Sequence, residues 1–190
     1  MRRAIDDAEA IARARDGDLD AYAALVARYT LRAHRAAFLL GAGEESDDVV
    51  QEAFVKAFRH LSRFRTGEPF APWLLRIVAN ETKNLARSRQ RRAALALRLP
   101  SAESSGAATA GPVDEVLASE RRAQLVAAVN ALPDSERQVL VCRYFLDLSV
   151  TETAQVLAWP PGSVKSRTSR ALNRLRGRLV PAEQDRITND

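Results

Sequence analysis

The chain has 190 residues, of which 46% are hydrophobic, 28% charged and 6% aromatic. This composition excludes a disordered or collagen-like chain, and the abundance of alanine, leucine and arginine favours helix over sheet. One cysteine and two histidines exclude a disulfide framework and a cysteine- or histidine-rich metal site, so we expect no metal and no other cofactor. The net charge of +5 is compatible with a nucleic-acid partner without proving one.

No apolar run approaches the roughly 20 residues that a membrane-spanning helix needs. The N-terminus starts basic, turns acidic at once and has no apolar signal core. We therefore expect a cytoplasmic protein.

The N-terminal half predicts one helix after another. Residues 5–15 form a short candidate, and Asp18 can cap a long second helix with apolar residues at steps of three and four. A Gly-Ala-Gly sequence ends it, and Ser46 is expected to cap a third helix. A fourth helix runs over about 72–92. None of these segments alternates with period two, so we expect no sheet.

Residues 99–114 separate the two halves, and twelve of these sixteen residues are Pro, Gly, Ser, Thr or Ala. Such a stretch cannot bury enough surface to offset its ordering entropy. We therefore expect a flexible linker at 98–114, with a random-coil reach of about 20–24 Å. The predicted fold is all-α, with two small helical domains at 1–97 and 115–180 and a tail at 181–190.

The strongest functional pattern lies between Ser149 and Leu179. Ser149 and Glu152 form a capping box for a short helix, a Trp-Pro-Pro-Gly turn follows, and Ser163 is expected to cap a longer helix. This is the outline of a helix-turn-helix. The longer helix carries six basic residues and no acid, interleaved with small polar residues that permit close approach to base edges. The pattern predicts DNA binding, against the alternative of a solvated basic face.

A second basic run, from Lys83 to Arg98, also has six basic residues and no acid. The helix dipole accounts for two or three of them, so a phosphate-tracking surface is the better interpretation. Just upstream, Phe64, Phe70 and Trp73 lie among Arg and Asn residues. These rings either stack on unpaired bases or close the core, and their spacing alone favours the core.

An acidic helix face carries Asp48, Gln51 and Glu52, followed by Lys56 and Arg59. It is either solvated or a docking surface for a protein partner. The sequence has no nucleophile triad, phosphate-binding loop or paired-carboxylate motif, so we expect no catalytic residue and no enzyme activity.

Two pairs of segments together resemble a known family. Residues 47–64 (DDVVQEAFVKAFRHLSRF) and 70–80 (FAPWLLRIVAN) resemble region 2 of the extracytoplasmic-function (ECF) sigma factors of the sigma-70 family. Residues 132–140 and 162–167 (GSVKSR) resemble region 4. The chain departs from the family in its bulky Trp-Pro-Pro-Gly turn, in a serine where threonine is common, and in Glu81 within the stretch expected to face DNA.

The resemblance implies an alternative sigma factor that binds core RNA polymerase, through the beta-prime clamp helices and the beta subunit, and directs initiation at promoters. It also implies a cognate anti-sigma factor and no membrane insertion. The implied polymerase-binding residues are Asp48, Gln51 and Glu52. The implied −10 DNA-binding residues are Phe64, Arg65, Trp73, Arg76, Asn80, Lys83, Asn84 and Arg87. The implied −35 DNA-binding residues are Lys165, Ser166, Arg167, Ser169 and Arg170.

The alternative interpretation is a conventional helix-turn-helix regulator with an N-terminal sensing or dimerisation domain. Such a protein binds duplex DNA as a dimer without polymerase. A sensing domain has no need for the basic, aromatic-flanked stretch at 64–92, which favours the sigma factor.

Overall fold

The computed structural model describes residues 5–65, 67–96, 124–125 and 127–179. Within these residues the chain is helical and contains no strand, which confirms the predicted all-α class. The expected linker and the expected tail lie outside the described residues. No helix in the described part of the chain has the length and apolar character to cross a membrane.

The α-helices of the N-terminal half and of the helix-turn-helix follow the predicted order. They are α1 (Asp7–Arg15), α2 (Leu19–Ala37), α3 (Ser46–His60), α4 (Phe70–Ala96), α5 (Asp134–Leu140), α6 (Val150–Leu157) and α7 (Pro161–Leu179). Short π-helical segments follow α2 (Phe38–Ala42) and α5 (Val141–Phe145), and 3-10 turns lie on either side of α3 (Gly43–Glu45 and Leu61–Arg63).

The predicted cap of α2 is confirmed, whereas that of α3 is wrong. The Asp18 carboxylate accepts a hydrogen bond from the Ala21 N–H at 3.0 Å. Ser46 is instead the first residue of α3, because the 3-10 turn Gly43–Glu45 leads into the helix without a break. The Ser46 hydroxyl donates back to the Gly43 carbonyl at 2.5 Å, so it stabilises the preceding turn and not the helix terminus.

The predicted cap of α7 is also wrong. Helix α7 begins at Pro161, two residues before Ser163. Proline is favoured at the first helical position because its φ is already helical and it has no N–H to leave unpaired. The Ser163 N–H therefore donates to the Pro160 carbonyl at 2.9 Å, inside the first helical turn.

The core of the N-terminal half is centred on α2, α3 and α4. Leu25, Leu74 and Val78 are each at most 1% exposed. Phe70 is 2% exposed and lies 5.2 Å from the Tyr29 ring, centroid to centroid. The apolar faces that the periodicity predicted on these helices therefore do form a shared interior.

Helix α4 packs on its other side against α6, so the N-terminal and C-terminal helices share one continuous cluster of buried residues. Val156 and Leu157 of α6 are at most 1% exposed. Arg32 Nη2 donates to the Leu146 carbonyl at 2.7 Å and so links α2 to the segment before α6. The two predicted domains are thus packed together in this conformation.

Candidate functional site

One exposed polar stripe follows α4. Arg76, Asn80, Asn84 and Arg87 are spaced by four, four and three residues, which places them on one helix face. All four are exposed, while the faces beside them are covered by α3 and α6. We call these four residues the α4 stripe. It brings together cations and amides, which suit phosphates and base edges respectively.

A cleft of about 300 Å³ opens at the N-terminal end of the α4 stripe. It is lined by Arg63, Arg65, Glu68, Pro69, Pro72, Trp73, Arg76 and Gln155. Trp73 is half-buried, and the side chain of Arg65 is 85% exposed. The cleft therefore combines an aromatic wall with three guanidinium groups.

Three of the lining residues were predicted from the sequence, namely Arg65, Trp73 and Arg76. Arg63 and Glu68 were not, because they lie between α3 and α4, where no helical periodicity indicates which exposed side chains share a face. The Gly-Glu-Pro sequence at 67–69 marked the turn without showing that it bounds a cleft.

Phe64 belongs to the core, which corrects its assignment as a DNA-binding residue. It is 4% exposed, and its ring centroid lies 5.8 Å from Phe70 and 5.1 Å from Trp73. A ring enclosed in this way has no face open to a base. Trp73 contacts the same cluster but keeps part of its surface exposed, so it has both a core side and a cleft side.

The basic run after residue 82 is divided between surface and structural roles. Lys83 is half-buried, and burial, reinforced by the nearby charge of Arg87, lowers the pKa of its ammonium group. Arg89 donates to the Glu45 carboxylate at 2.7 Å and to the Gly41 carbonyl at 2.9 Å. Arg89 thus holds the junction between α2 and α3, and Arg98 lies outside the described residues. Fewer than six cations of this run are therefore assigned to a surface that contacts phosphates.

Glu81 does not place a free negative charge beside the α4 stripe. The side chain of Glu81 is 12% exposed, and its carboxylate lies 2.6 Å from Lys56 Nζ on α3. Hydrogen bonding to Glu81 is the largest cause of the raised pKa of Lys56. Lys56 thus compensates the charge of Glu81 between two helices, and both Glu81 carboxylate oxygens also accept from Asn84 Nδ2 of the stripe at 3.5 Å.

The predicted acidic face of α3 is exposed. Asp48, Gln51 and Glu52 all lie at the surface, and Glu52 is 3.3 Å from Lys56 Nζ. This places two carboxylates and one amide in a position to meet a partner.

An apolar groove lies between α2 and α3 beside that acidic face, with a volume of about 560 Å³. Its lining includes Leu19, Val55 and Phe58, which are 67%, 38% and 40% exposed. Gln51 also lines it. We call this the α2–α3 groove. Sequence reasoning missed it because two separate helices each supply half of its walls.

The recognition-helix candidates on α7 are accessible. Lys165, Ser166, Ser169 and Arg170 are exposed, and Arg167 is half-buried. Arg170 Nε donates to the Ser166 carbonyl at 3.4 Å. The N-terminal part of α7 therefore presents the cations and small hydroxyls that base reading requires.

The three cations at the C-terminal end of α7 make contacts within the chain. Arg174 Nε lies 3.0 Å from the buried Glu136 carboxylate of α5. Arg176 donates to Asn173 at 3.2 Å, and Arg178 to the Ala128 carbonyl at 3.4 Å. Arg174 and Arg178 thus link α7 to its neighbours, whereas the bond of Arg176 lies within α7, so the basic helix is partly structural.

The helix-turn-helix outline is present, and its capping box is confirmed. The Glu152 N–H donates to Ser149 Oγ at 3.1 Å, and the Ser149 N–H donates to the Glu152 carboxylate at 2.7 Å. Hydrogen bonding to Ser149 lowers the pKa of the Glu152 carboxyl, so the box is intact at neutral pH. No group of three or more His, Cys, Asp or Glu side chains suited to a metal ion occurs in the described ranges.

Comparison with known proteins finds matches for both halves of the chain. Residues 19–92 match the family model of Sigma-70 region 2, and residues 122–175 match that of Sigma-70, region 4. The ECF RNA polymerase sigma-E factor of Escherichia coli strain K12 is 33% identical over 190 residues, covering 95% of this chain and 98% of the relative. The ECF RNA polymerase sigma factor SigW of Bacillus subtilis strain 168 is 31% identical over 176 residues, covering 89% and 94%.

Solved structures share the fold. CnrH in complex with the cytosolic domain of CnrY has a TM-score of 0.65 and 28% identity, covering 90% of this chain and 95% of CnrH. The sigma factor RpoE of Bartonella quintana, in complex with the anti-sigma factor NepR, has a TM-score of 0.64 and 24% identity, covering 81% and 93%. The second likeness supports the fold alone.

Proposed function

Because this chain belongs to the ECF sigma factors of the sigma-70 family, we propose that three of its surfaces divide the work of promoter-specific initiation. As an alternative sigma factor it binds core RNA polymerase and promoter DNA, and it is an initiation factor, not an enzyme. The conventional-regulator interpretation is not favoured. We place its action in the cytoplasm, with a cognate anti-sigma factor as a further partner.

The first proposed surface is the acidic face of α3 together with the α2–α3 groove, which docks on the beta-prime clamp helices. Asp48, Gln51 and Glu52 border exposed apolar side chains at Val55 and Phe58. An apolar centre with a charged rim is the usual anatomy of a protein interface. Burial of the apolar side chains on docking stabilises the complex. The carboxylates orient the chain on a basic partner and speed their encounter.

The second proposed surface is the α4 stripe with the part of the adjoining cleft that the N-terminal half supplies, and it binds the −10 element. Arg65, Trp73 and Arg76 line the cleft, whose aromatic wall supports stacking of an extruded base. Asn80 and Asn84 continue along the stripe with donors and acceptors for base edges. Arg87 and Lys83 add positive charge farther along the helix. Capture of an exposed base offsets the unstacking cost of a few kcal/mol per step that melting requires.

The third proposed surface is the N-terminal part of α7, which reads the −35 element from the major groove. Lys165, Arg167 and Arg170 reach guanine edges or phosphates, while Ser166 and Ser169 allow close approach. The beta subunit is the further polymerase partner that the family resemblance implies. Neither DNA-binding surface needs high affinity alone, because polymerase holds both at one promoter.

This division of work requires the packed conformation to open. Elements named −10 and −35 are 25 base pairs apart, which is about 85 Å along the duplex. Helices α4 and α6 are in direct contact, so α7 cannot reach the second element while α4 is on the first. Docking on polymerase therefore has to release the contacts between α4 and α6 and the Arg32–Leu146 hydrogen bond. We propose the segment at 98–114 as the tether between the domains 1–97 and 115–180.

The observation that carries the proposal is the separation of two exposed nucleic-acid surfaces, the α4 stripe and α7, in one chain. Asn80→Ala and Arg170→Ala test it in holoenzyme on one promoter. Asn80→Ala is expected to slow strand opening at the −10 element while leaving −35 protection in place. Arg170→Ala is expected to weaken −35 recognition by about 1–3 kcal/mol, the usual effect of losing a base contact.

Permanganate reactivity of unpaired thymines measures the first effect, and footprinting of the −35 region measures the second. Arg178→Ala is the matched control, because Arg178 is also a cation of α7 but bonds to the Ala128 carbonyl. If Asn80→Ala and Arg170→Ala cause the same defect at the same element, the assignment of two separate readers is wrong.

A further inference from the structure

Trp159 lies in the turn between α6 and α7, and its indole ring faces an arginine of the recognition helix. The guanidinium carbon of Arg167 is 4.5 Å from the ring centroid. That distance is well inside the range of about 6 Å for a cation–π contact. In the sequence, Trp159 was only a bulky residue in an unusual turn.

Backbone hydrogen bonds before and after Trp159 fix the position of its ring. Helix α6 ends with Ala158 in the left-handed conformation, and the Trp159 N–H donates to the Ala154 carbonyl at 3.0 Å. This is a Schellman-type termination, which sets the exit direction of the chain. On the other side, the Pro160 carbonyl accepts from the Val164 N–H at 3.2 Å within α7. The indole also packs against the core, so it is a rigid platform.

The guanidinium of Arg167 lies over the Trp159 ring, and this cation–π contact is its interaction within the described residues. No hydrogen-bond acceptor or carboxylate of the described residues engages its guanidinium, whereas Arg170 bonds to the Ser166 carbonyl and Arg174 pairs with Glu136. Within the described residues, the N–H groups of Arg167 therefore remain available for hydrogen bonding while the contact with Trp159 restricts the position of the guanidinium. A planar guanidinium with a free edge matches the two acceptors, O6 and N7, of guanine.

We propose that Trp159 is a positioning residue for −35 recognition, which restricts the Arg167 guanidinium to a position from which it bonds to a guanine through two N–H groups. The inference rests on the proposed function, in which α7 reads the −35 element. Trp159 itself contacts no base. It acts by reducing the side-chain freedom that Arg167 loses when it binds, which is the general benefit of preorganisation.

The test uses the full chain with core RNA polymerase and promoter fragments that carry each of the four bases at every −35 position. Arg167→Ala is expected to lose about tenfold in discrimination at one G·C pair. Trp159→Leu is expected to lose about threefold to fivefold at that same pair and nothing elsewhere. Trp159→Phe, which keeps an aromatic face, is expected to retain most of the discrimination.

The double variant separates positioning from a general structural role. Trp159→Leu with Arg167→Ala is expected to discriminate no worse than Arg167→Ala alone, because both changes remove one contact. Tyr144→Leu is the matched control, since Tyr144 is a 57% exposed aromatic in the same half of the chain. It is expected to leave every base preference unchanged.

Three results overturn the proposal. They are unchanged discrimination in Trp159→Leu, an equal loss at every −35 position, and losses that add in the double variant. If Arg167→Ala leaves all base preferences unchanged while Arg170→Ala alters one, Arg167 is not a base reader and both the inference and that part of the proposed function fail. If Arg167→Ala has its effect and Trp159→Leu has none, the inference alone fails.

Proton NMR of the unmodified chain provides a second measurement that no folding defect can obscure. Stacking on an indole ring is expected to shift the Arg167 side-chain protons upfield relative to those of Arg170. Equal, unperturbed shifts for the two arginines contradict the contact on which the proposal depends.

Discussion

Replacing Phe70 with alanine is expected to lower the free energy of unfolding by about 3–5 kcal/mol, the range for deleting a buried aromatic side chain. Phe70 is 2% exposed, and its centroid lies 5.2–5.8 Å from the rings of Tyr29, Phe64 and Trp73. In the alanine variant these three rings lose the side chain that they all contact. The cavity left behind cannot close unless the surrounding helices break other contacts. Urea unfolding of the full chain, followed by circular dichroism, measures the change.

Phe38→Ala is the matched control, because Phe38 is 57% exposed. Its expected effect is within about 0.5 kcal/mol, as for most surface substitutions. The sequence left open whether Phe70 closes the core or contacts a base. A Phe70→Ala variant of unchanged stability that fails only in promoter opening contradicts the core role.

The double substitution of Asp48 and Glu52 by lysine is expected to weaken holoenzyme formation by about 100-fold. Both side chains are exposed on α3 beside the α2–α3 groove. Reversing two charges that face a basic partner replaces attraction by like-charge contacts that cost several kcal/mol, and about 3 kcal/mol corresponds to 100-fold. Binding of the full chain to core RNA polymerase, measured by fluorescence anisotropy, tests this.

Glu9→Lys with Asp16→Lys is the control for net charge. These two acids are also exposed, but they lie on α1 and in the turn that follows it, not on α3. The control is expected to change the affinity by less than threefold, and the defect of the α3 variant is expected to depend on salt. Equal defects in both variants indicate a general charge effect and contradict docking through α3.

The helical organisation was predictable because each helix carries its own periodic apolar face and terminates at residues with clear conformational preferences. The order of helices, the Asp18 cap and the Ser149–Glu152 capping box follow from local sequence alone. The two wrong caps share a cause, since at Ser46 and Ser163 the preceding residues were already helical. A serine before an apolar run acts as a cap only when its own backbone is non-helical, as it is at Ser149 and is not at Ser46.

The surfaces were predictable only in part, because burial depends on contacts between distant segments. The family resemblance assigned Phe64 to DNA although its spacing favours the core, and it is enclosed by two rings. Arg89 belongs to a basic run that predicts a phosphate-facing surface, yet it bonds across to the α2–α3 junction. The neutralisation of Glu81 by Lys56 spans 25 residues of sequence. The contact between Trp159 and Arg167 crosses a helix break, where helical spacing gives no guide to which side chains meet.

Transcription with purified core RNA polymerase on a genomic fragment library, with start sites mapped with and without this chain, tests most directly whether the protein directs promoter choice. New start sites are expected only when both are present, and they are expected to share two upstream elements at a fixed spacing. Start sites that do not change on adding the chain, or stable protection of the same promoters by the chain as a dimer without polymerase, contradict a sigma factor.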